Sequence, residues 1–596
     1  LAYNELAYSI SINDSTTYSS TKEKNKAVNA ELAEILTVLK NNGETLNNDF
    51  KIDRKKDGTY SFNVSGSSLN RFRADVFGKS SADDLEYDKD TGIDEANATA
   101  EQIMEYLMGK DNFGISSKYD GDLAYRIVVV RYAMLGNRFA RYKEVKIATD
   151  VSDKTVAYVN EHMDTLSGIS VNEDMIRKYN YSEYFSSIIG YTGPISESEY
   201  TALHKKNKDY TQNDTVGKAG MEQYYEIYLR GKNGEQKFYI DNVGRISEII
   251  SSTDSVAGDD LYLSIDADLQ KATYLALQNE IAAIVYSNIK SGEIPINDVY
   301  TALIGNSVIN TEHFSKAKAS DTEKNVLSVF KSRQKTTLGK IKQELTSSPE
   351  ALNTMSDEVL DEFTYIISML KDDQVLLKNE IDTSDSVYQK WKNQKISPKE
   401  YLSYCITQHW IDISQLNVDE KYADSTEVYD ALCKYILKNI KTDTEFSKII
   451  YQYMITRGEI SPRQLCLILF DQGVLDYDDA TVNKLKNGSL SPRDFLMKKI
   501  YNIEITPAQL ALEPCTGSCV VTDEKTGEIL AMVSYPGYDS NKLANGVDSE
   551  YFASLQHDKS SPLLNYATQQ KTAPGSTFKL VSATAGLAEN VITTSD

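Results

Sequence analysis

From roughly Leu269 to Leu510 the sequence is patterned for helix almost throughout, whereas the residues on either side carry strand patterning. That long helical stretch is the strongest constraint on the fold. It has no alternating strand pattern, so residues 283–506 are expected to form a helical lobe of their own, set into a sheet-bearing chain. Four places share one punctuation: Lys290 to Pro295, Asn393 to Pro398, Arg457 to Pro462 and Lys486 to Pro492. In the last three a serine stands before the proline. Serine caps a helix, and proline at the first helical position loses no hydrogen bond. Gly458 and Gly488 suit the ends of the preceding helices. The intervals between the four are unequal, which argues against a repeat family.

The flanks read as α+β. Residues Leu1 to Ile12 alternate towards their end as a strand does. Lys24 to Leu39 places Val28, Leu32, Ile35, Leu36 and Leu39 on one helical face. Ile52 to Val64 reads as a hairpin around Asp57-Gly58. Ala124 to Leu135 and Lys154 to His162 read as helices, and the glycines between Gly217 and Arg245 mark a compact loop-and-hairpin unit. Beyond Pro514 strands return: Gly517 to Asp523, a turn at Lys525-Thr526-Gly527, then Glu528 to Tyr535. Gly537 to Gln570 is loop-rich, and Ser576 to Ala588 is helical.

With 596 residues the chain is too long for one core. Its net charge of -23 excludes a nucleic-acid backbone as partner, since phosphates are bound by basic surfaces. Five cysteines lie scattered without a CxxC pair, and five histidines lack metal-ligand spacing, so neither a disulfide framework nor a metal site is expected. Cys515 and Cys519 are near in sequence, but a bridge between them demands narrow geometry. No run of about 18 apolar residues occurs. Because the chain opens at Leu1 rather than methionine, it reads as a fragment, and the absence of a leader or anchor at its start is not read as a soluble, cytoplasmic protein.

The chemistry concentrates at Pro574-Gly575-Ser576-Thr577-Phe578-Lys579. A Pro-Gly turn delivers Ser576 to the start of a helix, and Lys579, three residues on, shares its face. A serine hydroxyl needs a neighbouring base to become nucleophilic. A lysine serves only unprotonated, and bringing its pKa from about 10.4 to about 7 takes some 4–5 kcal/mol of bias. Burial and a helix N-terminus both act in that direction. The bare S-x-x-K spacing is not selective, because it recurs at Ser19, Ser287, Ser315, Ser328, Ser332 and Ser368. Its setting after a hairpin and a Pro-Gly turn singles out Ser576. Glu222 and Asp266 suggest acid-base roles by type alone, but nothing pairs them with a nucleophile, and structural roles are expected.

In that setting the Pro574-to-Lys579 segment resembles the nucleophile motif of penicillin-recognising acyl-serine enzymes. Thr522 to Pro536 resembles the hairpin that opens the transpeptidase domain of class B penicillin-binding proteins. Leu563-Leu564-Asn565-Tyr566-Ala567 is similar to their segment before the nucleophile, with Tyr566 where arginine is usual. Gly217 to Glu222, Leu229-Arg230-Gly231, Asp241 to Arg245 and Ile188 to Gly193 resemble their non-catalytic N-terminal domain, with Asn180 at a usual proline. Leu263 to Asp266 with Leu269-Gln270 resembles the junction between the two.

The resemblance implies an α+β multidomain protein. Residues 1–252 would form an irregular N-terminal dimerisation or pedestal domain, and residues 253–596 the first part of a penicillin-binding transpeptidase domain, interrupted by the all-α insert at 283–506. It implies a serine-type D,D-transpeptidase that cross-links peptidoglycan stem peptides ending in D-Ala–D-Ala, with Ser576 as nucleophile and Lys579 as base. No metal or cofactor is implied, and β-lactams would be trapped as acyl-enzyme. A membrane glycosyltransferase is the implied partner, and a homodimer is compatible. One N-terminal membrane anchor would leave the catalytic domain outside the cytoplasm. The family's S-x-N and K-T-G motifs are expected after the nucleophile, beyond Asp596; Lys525-Thr526-Gly527 precedes it and reads as a turn. Residues 1–596 alone are therefore expected to be inactive, and the hairpin from Gly517 to Tyr535 to keep unpaired edges. A catalytically silent scaffold, and a serine β-lactamase or D,D-carboxypeptidase, remain as alternatives.

Overall fold

The computed structural model describes residues 1–596 except 14–17, 56–57, 65, 90, 137–143, 167, 213, 241–245, 317, 348–349, 417–423, 546–547 and 596. The chain divides into two units: Leu1–Ser264 with Gly537–Ala553, and Ile265–Pro536 with Ser554–Asp596.

In the first unit, strand Ala2–Ile12 lies at the centre of a three-stranded antiparallel sheet, between Val145–Thr149 and Ile169–Tyr179. Helix Thr21–Asn42 lays Val28, Leu32, Ile35, Leu36 and Leu39 against Ile10 and Ile12, the face its periodicity marks. Helix Gly121–Gly136 carries apolar residues on two faces because it separates two cores. Ile127 and Val130 enter the first, while Val128 and Val129 enter a second with Phe50, Phe72, Ile103 and Leu107. Its Arg131 is buried and compensated: it donates to Asn29 Oδ1 at 2.8 Å and Asn25 Oδ1 at 2.7 Å, and lies 5.0 Å from the Phe113 ring centre. Strands Ile52–Arg54 and Tyr60–Phe62 pair as the hairpin expects; Asp57 of its turn lies outside the described residues.

The glycine pattern has a steric reason. At Gly190 a Cβ would stand 2.0 Å from the carbonyl oxygen of Ala219, and at Gly220 it would stand 2.5 Å from that of Ile188. The two segments touch backbone to backbone. Glu222, buried beside them, accepts from Arg177 Nε at 2.8 Å, which makes it a structural ion pair rather than an acid-base group. Asp241 to Arg245 lies outside the described residues; the strands around it, Glu235–Ile240 and Ile246–Thr253, pair antiparallel.

Segment Gly537–Ala553, read above only as loop, belongs to this first unit. Asn541 pairs both ways with the backbone of Tyr179, donating at 3.0 Å and accepting at 2.9 Å. Asn545 does the same with Arg177, at 2.8 Å each way. Two amide side chains thus take the place of a strand along the outer edge of Ile169–Tyr179. Tyr538, buried, donates its hydroxyl to the carbonyl of Ser186 at 3.2 Å.

The second unit is helical from Ala267 to Leu510, with no strand among its described residues there. Ser397, Ser461 and Ser491 cap helices that begin at Pro398, Pro462 and Pro492, each accepting the amide of the third helical residue. Pro295 differs, being itself the cap of helix Ile296–Gly305. The turns also correct the reading that there is no repeat. Residues with left-handed backbone stand at Gly292, Ser307, Gln374, Gln394, His409, Gly458, Gly473, Gly488 and Ile503. The pairs 292/307 and 394/409, and the run 458/473/488/503, are fifteen residues apart. In seven of these nine turns, the amide two residues further on donates to the carbonyl six residues before it, as Ile460 does to Met454 and Leu475 to Leu469. The donor is apolar and mostly buried: Ile309, Leu376, Ile460, Leu475 and Ile505 all lie inside. Burial of that anchor offsets the cost, about 1–2 kcal/mol, of a left-handed non-glycine residue such as Ile503.

Candidate active site

Strands Gly517–Thr522 and Ile529–Tyr535 form the expected antiparallel hairpin, with Val520 opposite Met532. At its turn Asp523 Oδ1 accepts the amides of Lys525 and Thr526, and Gly527 has φ +76°, so the Lys-Thr-Gly triplet is structural as read. The expectation of unpaired edges is overturned for the second strand. Helix Ala267–Ser291 covers it: the Asp266 amide donates to the carbonyl of Leu530 at 2.9 Å. Fully buried Gln270 accepts the Met532 amide at 2.8 Å and donates to its carbonyl at 3.0 Å. Met532 turns its amide and carbonyl away from the first strand, and one amide side chain satisfies both. Tyr274 meets Tyr535 edge-to-face at 5.3 Å between ring centres. Asp266 caps the helix by accepting from the Leu269 amide at 2.8 Å, again a structural role.

Truncating Gln270 to alanine leaves a donor and an acceptor unpaired against this helix, each worth about 1–3 kcal/mol. Hydrogen exchange at Met532 is expected to speed up by at least tenfold, and tryptic cleavage after Lys525 to become faster. Unchanged exchange would show that the clamp holds nothing.

From the hairpin the chain returns along Asp558–Thr568. Ser534 Oγ accepts the amide of Tyr566 at 2.9 Å and donates to the carbonyl of Leu564 at 3.2 Å. The Tyr566 hydroxyl donates to the Ser560 carbonyl at 2.8 Å, so the residue that departs from the family pattern pins this loop. Gly575–Phe578 then forms one 3₁₀ turn that runs into helix Lys579–Ala588, in place of one continuous α-helix from Ser576. The Lys579 amide donates to the Ser576 carbonyl, which places the two side chains three residues apart on a turn where such positions eclipse.

Both side chains are exposed, as are Leu580 at 78% and Val581 at 53%. Among the described residues no side chain hydrogen-bonds the Ser576 hydroxyl or Lys579 Nζ. The other serines at S-x-x-K spacing, such as Ser287, Ser328, Ser332 and Ser368, sit within helices. All five cysteines are free thiols, Cys515 and Cys519 included. Burial pushes the Cys515 thiol up to about 11, which keeps it protonated and inert. Among the described residues no cluster of His, Cys, Asp or Glu is placed to hold a metal ion, and no helix is long and apolar enough to cross a membrane.

A hairpin backed by a helix is thus followed by a serine one turn from a lysine, and sequence comparison identifies the domain in which they stand. Residues 1–263 match the penicillin-binding protein dimerisation domain, and residues 517–596 the penicillin-binding protein transpeptidase domain. The chain belongs to the class B penicillin-binding proteins, a D,D-transpeptidase family. It is 29% identical over 157 residues to peptidoglycan D,D-transpeptidase MrdA of Salmonella typhimurium, covering 26% of this chain and 25% of that protein. It is 34% identical over 136 residues to penicillin-binding protein 2A of Bacillus subtilis, covering 22% and 19%. The matches thus span a quarter or less of these relatives' own lengths. Among solved structures, penicillin-binding protein 2B of Streptococcus pneumoniae aligns with 49% of this chain and 41% of its own, at 21% identity and a TM-score of 0.27.

Proposed function

We propose that the whole protein is a peptidoglycan D,D-transpeptidase working through an acyl-serine intermediate. The observation that carries this is Ser576 one turn before Lys579, at the end of a loop pinned to the first hairpin of a transpeptidase domain. Ser576 Oγ attacks the carbonyl of the penultimate D-alanine of a stem peptide while Lys579 Nζ takes the hydroxyl proton. The C–N bond to the last D-alanine breaks, and that proton leaves on its amine. An amine from a neighbouring stem peptide then attacks the ester and releases Ser576, whose hydroxyl regains a proton through Lys579. A β-lactam opens onto Ser576 in the same way, but its leaving nitrogen stays tethered, so the ester persists. The route needs no metal or cofactor.

In this reading residues 1–252 are a non-catalytic domain, 253–596 belong to the transpeptidase domain and 283–506 are an insert in it. The protein is anchored in the membrane by one N-terminal segment, faces outward and works beside a glycosyltransferase. For residues 1–596 alone we expect no stable acylation, because Ser576 and Lys579 stand in solvent. Loss of one oxyanion donor in an acyl-transfer site costs about 2.7–4 kcal/mol. The test is to treat the whole protein, rather than residues 1–596 alone, with fluorescent penicillin, digest it and map the adduct. An adduct on the peptide carrying Ser576 supports the reading; an adduct on another peptide, or none, sinks it.

A further inference from the structure

The helical body and the loop before Ser576 meet at one side chain. Asn306 ends helix Ile296–Gly305, at the turn whose left-handed residue is Ser307. Its Nδ2 lies 3.1 Å from each of the Ala508 carbonyl, the Gln509 carbonyl and Asp558 Oδ1, so two hydrogens serve three acceptors. Its Oδ1 accepts the amide of Lys559 at 3.0 Å. Asp558 Oδ1 also accepts the amide of Ser560 at 2.8 Å and its hydroxyl at 2.7 Å. Ser560 is fully buried, and its carbonyl receives the Tyr566 hydroxyl described above. The bonded path therefore runs from the helical body, through Asp558, Ser560 and Tyr566, to Ser534 on the hairpin.

We infer that the helical body positions the nucleophile, with Asn306 as the positioning residue for acylation. This rests on the reading of Ser576 proposed above. Two properties of the path carry it. The Asn306 amide makes two different bonds to that loop at once, donating to Asp558 Oδ1 and accepting from the Lys559 amide. The loop from Asp558 to Tyr566 is tied at one end to the helical body and at the other to the hairpin. Its shape, and the starting point of the short tether to Ser576, are therefore set by the distance between those two elements. A displacement of the helical body moves the nucleophile without touching it.

The experiment measures acylation of the whole protein, rather than of residues 1–596 alone, by fluorescent penicillin over a range of concentrations, which separates the acylation rate constant from pre-covalent binding. Misplacing a nucleophile by about 1 Å costs up to about a hundredfold, so Asn306→Ala is expected to lower the rate constant by about tenfold or more. Pre-covalent binding is expected to stay unchanged. Asn306→Asp sets two carboxylates together and is expected to lose at least as much. Tyr566→Phe, which breaks the path outside the helical body, gives the same selective fall and decides the matter if Asn306→Ala unfolds. An unchanged rate constant in folded Asn306→Ala or in Tyr566→Phe overturns the inference. Ser576→Ala is the control. Label persisting there overturns the proposed function, whereas label lost there with Asn306→Ala at full rate overturns only the coupling.

Discussion

Replacing Ser576 with alanine in the whole protein abolishes covalent labelling by penicillin while the circular dichroism and thermal unfolding stay those of the parent. The structure makes the two outcomes separable. Ser576 is exposed and its hydroxyl bonds to no side chain among the described residues, so removing Oγ costs the fold nothing. Lys579→Ala is expected to slow acylation by about 10²–10⁴-fold, the usual contribution of a positioned base. Lys579→Arg is expected to rescue little, since a guanidinium stays protonated and cannot take the proton. Labelling of Ser576→Ala at the parent's stoichiometry would remove Ser576 as nucleophile. Parent-like acylation of Lys579→Ala would leave the serine in place and dismiss the lysine.

Glu362→Gln is expected to raise the stability of the helical unit above pH 8 by up to about 3–5 kcal/mol, and to change little at pH 4. Glu362 sits on helix Asp357–Asp372, is 1% exposed, and its Oε1 has no hydrogen-bond partner among the described residues. One turn before it stands Glu358, which is committed to others: Arg333 Nη2 donates to both its oxygens at 2.9 and 2.8 Å, and Arg457 approaches to 2.7 Å. Burial first, and the neighbouring Glu358 second, push the Glu362 carboxyl up to about 8, with Lys340 and Arg333 acting weakly against them. The folded protein thus keeps a proton that the unfolded chain releases near the ordinary carboxylate value of about 4.3. Stability from this group is complete below that value and falls as pH rises, until it is lost above about 8. Denaturant unfolding followed by helical circular dichroism at pH 5 and pH 9 reads it directly. The parent should lose stability between the two, and the glutamine variant should lose less. Equal pH dependence in both proteins would mean that Glu362 is ionised in the fold.

How far the sequence could be read depended on where each signal is stored. The helix starts at Pro398, Pro462 and Pro492 were legible because serine and proline act on the residues next to them. The face of Val28, Leu32, Ile35, Leu36 and Leu39 was legible because a period of 3.6 belongs to one segment. The fifteen-residue repeat was hidden, although it is just as regular. Four of its eight turns put serine, glutamine, histidine or isoleucine in the left-handed region, where glycine would have announced it. Those conformations exist because a buried anchor two residues later holds them, and burial is decided by the whole packed unit. The clamping roles of Gln270, Asn306 and Asp558 stayed silent for a related reason. Amides and carboxylates abound on surfaces, and nothing local separates one that clamps a strand or a distant loop from one that is solvated.

The sequence by itself thus determined the local elements, the order of two domains around a helical block, and the spacing of Ser576 and Lys579. Those depend on covalent geometry and on neighbours a few residues away. Only the tertiary structure decided that Gly537–Ala553 completes the N-terminal unit, that Gln270 closes the hairpin edge, and that Asn306 ties the helical body to the loop before the nucleophile. Each of these pairs a backbone group with a side chain hundreds of residues away. Such a pairing is fixed by which surfaces bury each other, a property no short window of sequence contains.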